Sequence, residues 1–446
     1  MRDILVTLIV FGLLPSVFKR PYMGVLMWVW ISVMNPHTQG WGFATSFPFA
    51  AIIAAATLVS LVMNKDPKNL PRAPITWVLI AFVVWMNVTT VLAIYPDLVY
   101  DQWNKVMKIM LMTFVTMMLI RTVRHVQLLI WVLVISLGYY GVKGGIFTIM
   151  TGGSDMVWGP QGTFIAGNNE IALALIMTIP LMHYLQTITP KAWIRHALTV
   201  AMVLSGLAAL GSYSRGALLA IAAMGCFLWL KSRHRLRLGL LFLLAIPPAI
   251  AFMPEKWTER MDTINTYEED GSVQGRFNAW WMAYNLAKDR PIGGGFEVIT
   301  PELFSLYAPN PEDLHAAHSI YFQVLGEHGF VGLGLYLLLG LMTWRTGSWI
   351  VRNTAKHPEY RWATDLATML QVSLIGFAVG GTFLSLLYFD VPYYLMAAMM
   401  VTRVLVEKEL KEKAAPRVKD GGNSPEPQFE PLSPSQPQPI IRGDSG

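Results

Sequence analysis

Apolar residues in this chain gather into runs of about 17 to 25 residues, the length that crosses a bilayer core, and such runs recur almost from end to end. They predict helical spans near residues 4–18, 21–34, 48–63, 75–94, 105–120, 126–149, 170–187, 197–211, 217–230, 238–253, 320–343, 366–388 and 392–406. The first two are short enough to be either a broken hairpin or two crossings, so the expectation is an all-α polytopic bundle of about twelve transmembrane helices. The opening "MRDILVTLIVFGLLPSVFKRP" has the look of a signal peptide. No small-residue cleavage site follows it and further apolar segments come at once, so it is read as membrane structure.

The pattern breaks once at length, between the span ending near 253 and the one starting near 320. That divides the chain into a transmembrane bundle over 1–253, a large loop over 254–318, further transmembrane helices over 319–406, and a charged helix with a tail over 407–446. Loops above about 12 to 15 residues are usually functional or disordered. The aromatic and amphipathic "FNAWWMAYNLAKD" favours function here, as a helix lying in the interface or packed on the bundle. The tail, rich in Pro, Ser and Gln, reads as disordered.

Charge sets the orientation. The connections "NKDPKNLPR", "RTVRH", "TPKAWIRH", "KSRHRLR" and "RTGSWIVRNTAKHPEYR" are basic and fall on one side of the alternation, which makes that side cytoplasmic. The opposite set, "NPHTQGWG", "YPDLVYDQ" and "TGGSDMVWGPQGTFIAGNN", has no Lys or Arg, and the large loop belongs to it. In a Gram-negative cell that side is the periplasm and the membrane the inner one. With 54% hydrophobic and 14% charged residues the composition is far from that of a soluble domain. The net charge of +6 reports topology and does not call for a nucleic-acid partner. The single cysteine, Cys226, lies in an apolar run, which leaves no disulfide framework and no Cys-based metal site.

Against this background a few polar residues stand out. Arg215, in "GSYSRGALLA", occupies a tight turn on the side that otherwise lacks basic loops. It reads either as a snorkelling cation or ion pair with Asp390 or Glu170, or as an anion site in which Ser212 and Ser214 add hydroxyls and the next helix adds free N–H groups. Arg276, in "GSVQGRFNAWW", reads as a solvated or headgroup-binding cation or as a second arm on the same anion, and two arginines on one pocket would suit a pyrophosphate.

His315 and His318, in "HAAHSIYFQVLGEHGFVG", share a face if helical. A metal pair lacks a third ligand with suitable spacing, since His328 falls deep in the span. The remaining readings are a hydrogen-bonded structural ring or a general base. "GGGFE" at 293–297 lacks the flanks of a phosphate loop and reads as a flexible turn, and Glu268, Glu269 and Asp270 read as a solvated acidic turn.

Taken together, "SYSRGA" at one helix end, "GRFNAW" in the large loop and "HSIYFQVLGEHGFVG" opening the next span resemble the O-antigen ligase and O-antigen polymerase-like family. The wording "MNPHTQGWGFA", "GTFIAGNNEIALALIMTIPL" and "DRPIGGGFE" is most similar to the O-glycosylation ligases that accompany exosortase systems, and the likeness covers roughly residues 1 to 410. It implies a GT-C-like helical fold and a metal-independent, cofactor-free inverting glycosyltransferase of lipopolysaccharide biosynthesis. Such an enzyme moves glycan from undecaprenyl pyrophosphate to a hydroxyl of lipid A–core on the periplasmic face, with membrane lipids around it. Carried over to this chain, it makes His318 the general base and puts Arg215 and Arg276 on the pyrophosphate. Ser214 and His315 would join them as substrate-binding residues, although His315 has no firm counterpart in the family.

Related readings are an O-antigen polymerase, whose acceptor is another lipid-linked glycan, and a protein O-oligosaccharyltransferase. A transporter or flippase is the reading from another class, but no internal repeat of the kind transporters show is found.

Overall fold

The computed structural model describes residues 1–65, 68–231, 235–262 and 271–414. The acidic run Glu268, Glu269 and Asp270 and the tail beyond 414 lie outside the described residues. Among the described residues there is no strand. The chain forms α1 (Arg2–Lys19), α2 (Tyr22–Val33), α3 (Phe49–Met63), α4 (Pro74–Val91), α5 (Val99–Leu119), α6 (Val123–Met150), α7 (Asn168–Ile188) and α8 (Ala192–Gly211). It continues with α9 (Arg215–Lys231), α10 (Arg235–Ala251), α11 (Glu255–Asp262), α12 (Gly271–Asp289), α13 (Pro301–Tyr307), α14 (Ile320–Thr354), α15 (Arg361–Gly380) and α16 (Asp390–Ala414).

Six helical segments among the described residues are long and apolar enough to cross a membrane: α4, α6, α7, α8, α14 and Pro358–Phe383, which contains α15. The chain is a multi-pass membrane protein. The opening apolar stretch forms two separate helices, α1 and α2, both packed on α3.

Loop contacts define the two ends of the bundle. At the basic end Tyr22 stacks on His125 with centroids 3.9 Å apart, and Lys413 bonds Glu359 at 3.0 Å. At the opposite end Asp3 accepts from the backbone N–H groups of Gly42 and Ala44, Val157 donates to Gly211 O, and Ile94 donates to Gly294 O. Close packing in the middle relies on small residues. A Cβ on Gly145 of α6 would stand 2.3 Å from Leu204 O of α8, so only glycine lets these two backbones approach as they do.

Three segments differ from the sequence expectation. The span foreseen over 366–388 ends as α15 at Gly380, and residues 381–389 fold back as a buried turn. The span foreseen over 320–343 runs on to Thr354 as α14, whose 35 residues amount to roughly 50 Å against a hydrocarbon core of about 30 Å. The third is "GGGFE", a packed strap rather than a flexible turn.

α14 is broken at Gly329, whose φ is 67°. The strap fills the break: Gly294 N donates to Gly326 O at 2.9 Å, Gly295 N to Glu327 O at 2.8 Å, and Phe330 N to Pro291 O at 3.0 Å. A Cβ on Gly293 would stand 2.5 Å from Gly329 N, so the glycines serve close approach of backbones and not mobility. The interrupted helical hydrogen bonds are thus made good by another segment, as a backbone inside a membrane protein requires.

Beneath the strap, both ring nitrogens of His328 are engaged, Nδ1 with Thr89 Oγ1 and Nε2 with Tyr388 Oη, each at 2.7 Å. The Tyr388 hydroxyl donates to the Glu327 carboxylate, which also accepts from Gln323 Nε2 at 3.2 Å.

Candidate functional site

The turn between α8 and α9 is held from three directions. Asn168 Nδ2 donates to Ser212 O at 2.7 Å, Arg260 Nε to Tyr213 O at 3.1 Å, and Trp257 Nε1 to Leu210 O at 3.0 Å. Tyr213 sits in the left-handed region with φ 59°, its ring buried and its hydroxyl donating to Gly153 O at 2.7 Å. Ser214 caps α9 by accepting from Ala217 N at 3.1 Å, and Arg215 opens that helix. The Ser212 hydroxyl is turned away into a bond with Ala209 O at 2.6 Å and does not line the cavity described next.

A polar cavity of about 80 Å³ lies at this turn. Its wall takes Ser214 and Arg215 from the start of α9, Arg276 from α12, Arg260 from α11 and Asn169 from α7, with Phe383 and Leu384 from the buried turn after α15. The two arginines singled out in the sequence, far apart along the chain, thus face one space. A third guanidinium joins them that the sequence reading passed over. Its signal was the Trp257–Arg260 spacing, which puts a buried indole and a cation on one face of a short helix inside an otherwise polar loop. Three cations beside a helix N-terminus match in charge an anion with more than one negative charge. Among the described residues the wall holds no carboxylate, although Glu170, next to Asn169, feels the charge of Arg276.

The helix carrying Arg276 also organises the histidines. The expected amphipathic helix is part of α12, burying Ala279, Met282, Ala283 and Leu286 on the face towards α14. From the same helix Asn278 Nδ2 donates to Asn310 O at 2.7 Å and Asp313 O at 2.9 Å, and Trp280 Nε1 donates to Ala317 O at 2.6 Å. Trp280 also stacks on Phe322 with centroids 4.7 Å apart. "GRFNAWW" therefore turns one residue to the cavity and two others to the loop that bears His315 and His318.

His318 does not line the arginine cavity; it lies near enough to Arg276 to feel its charge. Its φ is 40°, a strained setting for a residue with a side chain, and its buried Nδ1 has no hydrogen-bond partner. Burial first, then the charges of Arg276 and His315, hold its pKa below the ordinary value of 6.5, so the ring is neutral at neutral pH. Next to it the buried Ser319 hydroxyl also lacks a partner. His315 is half-exposed, 2.5 Å from Asp313 Oδ1, with its ring so close over Gly275 that a Cβ there would meet Nδ1 at 2.5 Å. His328, engaged inside the bundle, is no part of this group.

Residues 200–337 match the family model described as O-Antigen ligase, and residues 1–189 match a model described only as a family of unknown function. No curated protein matches the chain. The segment 200–337 that is similar to the O-antigen ligase family contains Arg215, Arg260, Arg276, His315 and His318.

Proposed function

We propose that the chain is an O-antigen ligase, an inverting glycosyltransferase that moves a glycan from undecaprenyl pyrophosphate to a hydroxyl of lipid A–core. In this reading α1 to α10 and α14 to α16 thread the inner membrane with the basic connections in the cytoplasm, and the arginine cavity opens to the periplasm.

The observation that carries it is the shared cavity, lined by Arg215 and Arg276 beside the capped start of α9. Two guanidinium groups, the helix N-terminus and the Ser214 hydroxyl hold the pyrophosphate, whose charge grows as it leaves; such stabilisation is usually the largest catalytic contribution. His318 takes the proton of the acceptor hydroxyl through the nitrogen that has no other partner. The acceptor oxygen forms its bond to the anomeric carbon from the face opposite the breaking C–O bond, which inverts the centre. His315, packed over Gly275, joins the substrate-binding residues.

The reaction needs no nucleotide, and here the arginines perform the neutralisation that a metal ion gives to nucleotide-sugar enzymes. The test is transfer from purified lipid-linked donor to purified lipid A–core in detergent, without nucleotide and with a chelator present. A new glycosidic bond of inverted configuration is the expected product. Offering a second lipid-linked glycan or an acceptor protein instead distinguishes polymerase and protein O-glycosylation chemistry, and absence of any new bond with all three acceptors refutes transfer.

A further inference from the structure

We propose that a cleft at the end of the bundle bearing the arginine cavity binds the sugar rings of an oligosaccharide, with Trp41 and Trp158 as stacking platforms. The cleft, about 600 Å³, is also lined by Arg2, Gln39, Tyr140 and Lys143. That volume falls within the range of about 300 to 1,000 Å³ typical of ligand sites. Trp41 is 96% exposed and Trp158 59%, on two separate loops.

Neither indole hangs on a loose segment. Arg2 Nη1 donates to Gln39 O at 3.1 Å, and the Asp3 carboxylate accepts from Gly42 N and Ala44 N at 3.2 Å, so the start of α1 clasps the Trp41 loop on both sides. Gln39 Nε2 donates to Tyr140 Oη at 2.7 Å, and that hydroxyl donates to Met34 O. On the other wall Val157 N donates to Gly211 O at 2.9 Å and Gly159 N to Ala166 O at 3.0 Å. Large apolar rings held in place by ordered backbone, yet not buried, are set up to contact something else.

The chemistry of the walls selects the ligand. A sugar ring offers a C–H face that packs on an aromatic ring and a rim of hydroxyls that bond to amide, phenol and cationic groups, which are the groups present here. Among the described residues the lining has Arg2 and Lys143 but no Asp or Glu, so acidic sugars are accommodated along with neutral ones. All six residues named lie in the 1–189 segment matched only to a family of unknown function, and glycan binding gives that segment a task.

The cleft adjoins the reaction site. Val157 of its wall bonds Gly211, the last residue of α8 before the turn that carries Arg215, and Ile171 on the cleft and Asn169 on the arginine cavity share the first turn of α7. The inference rests on the proposed transfer reading for its direction: a donor whose pyrophosphate sits on Arg215 has its glycan beside this cleft.

The experiment uses the full chain in lipid nanodiscs. The probe is the glycan freed by mild acid from the undecaprenyl-linked pool of the producing cell, titrated calorimetrically against wild type, Trp41→Ala with Trp158→Ala, and Trp41→Phe with Trp158→Phe. Loss of both platforms is expected to weaken binding by about tenfold or more, with the Phe pair keeping most of it. Melting temperatures check the fold, and Trp41→Ala alone serves if the double variant fails it.

Equal affinity in the alanine variants overturns the proposal, as does a wild type that binds no released glycan; the indoles are then interfacial anchors of the kind common at membrane boundaries. Binding needs no turnover. A chain that binds glycan but transfers none keeps this inference and loses the transfer reading, while transfer without tryptophan-dependent binding does the reverse.

Discussion

Two polar clusters at α14 carry opposite lessons, although each contains a histidine, and ten positions of sequence separate the two rings. Around His328 every ring nitrogen has a partner, the Tyr388 hydroxyl bridges to Glu327, and the cluster is sealed under the glycine strap. Around His318 the backbone is strained, Nδ1 and the Ser319 hydroxyl lack partners, and Arg276 leads on to a cavity walled with cations. A polar network closed on itself holds helices in register, whereas unsatisfied groups beside a charged cavity await a ligand. In the proposed reading the sealed cluster is a fixture of the fold and the open one is the reacting centre.

The sharpest way to break this contrast is to remove each ring's function in turn. His318→Ala is expected to lower transfer by about 10² to 10⁴, the usual cost of losing a general base, with the melting temperature in detergent nearly unchanged. Comparable transfer by that variant and wild type, measured as product formed per folded enzyme, removes His318 from the chemistry. Next in size come the cations: Arg215→Gln is expected to cost about 10² to 10³ in rate, the range seen when one donor to a developing anion is lost. A rise in KM with the rate at saturating donor unchanged would instead make Arg215 a ground-state binding residue.

On the sealed side, Tyr388→Phe deletes the hydroxyl shared by His328 and Glu327 and leaves both with an unmet bond. It is expected to destabilise the chain by about 1 to 3 kcal/mol, seen as a lower unfolding midpoint, while turnover per folded molecule stays close to wild type. A variant as stable as wild type but inactive reverses the assignment of the two clusters.

How far each cluster was legible in the sequence follows from what makes it. The long apolar runs announced a helical membrane protein, because crossing a bilayer demands length and apolarity that a sequence displays directly. Arg215 and Arg276 stood out because each breaks a local rule, one as a cation in an outer turn and the other as a cation at the start of an aromatic helix. Arg260 broke none: it sits in a charged stretch where a cation is ordinary, and tertiary bonds, from Trp257 to Leu210 and from Arg260 itself to Tyr213, bring it to the cavity. The strap was misread for a related reason. Glycines suit a mobile turn and a tight backbone contact equally well, and the partner that decides between them, the break at Gly329, lies more than thirty positions downstream. The end of α15 at Gly380 was hidden because residues 381–389 are apolar enough to continue a span, and they are buried by packing at the site instead of by lipid.

The finest test of the contrast is the pH profile of transfer. A base must be neutral to accept a proton, so the rate rises with pH through the pKa of His318 and is flat above it. Burial first, then the Arg276 guanidinium, hold that pKa below 6.5, which places the acid limb of the wild-type profile below that pH. Replacing Arg276 by Gln takes away one positive charge and moves the limb to higher pH. The displacement is limited, because burial is the larger cause and persists in the variant. Since in the proposed reading the substitution also weakens pyrophosphate binding, the informative quantity is the position of the limb at saturating donor and not the height of the plateau. A limb that stays put when Arg276 is replaced means that the titrating group lies outside the reach of that guanidinium, and His318 is then not the base.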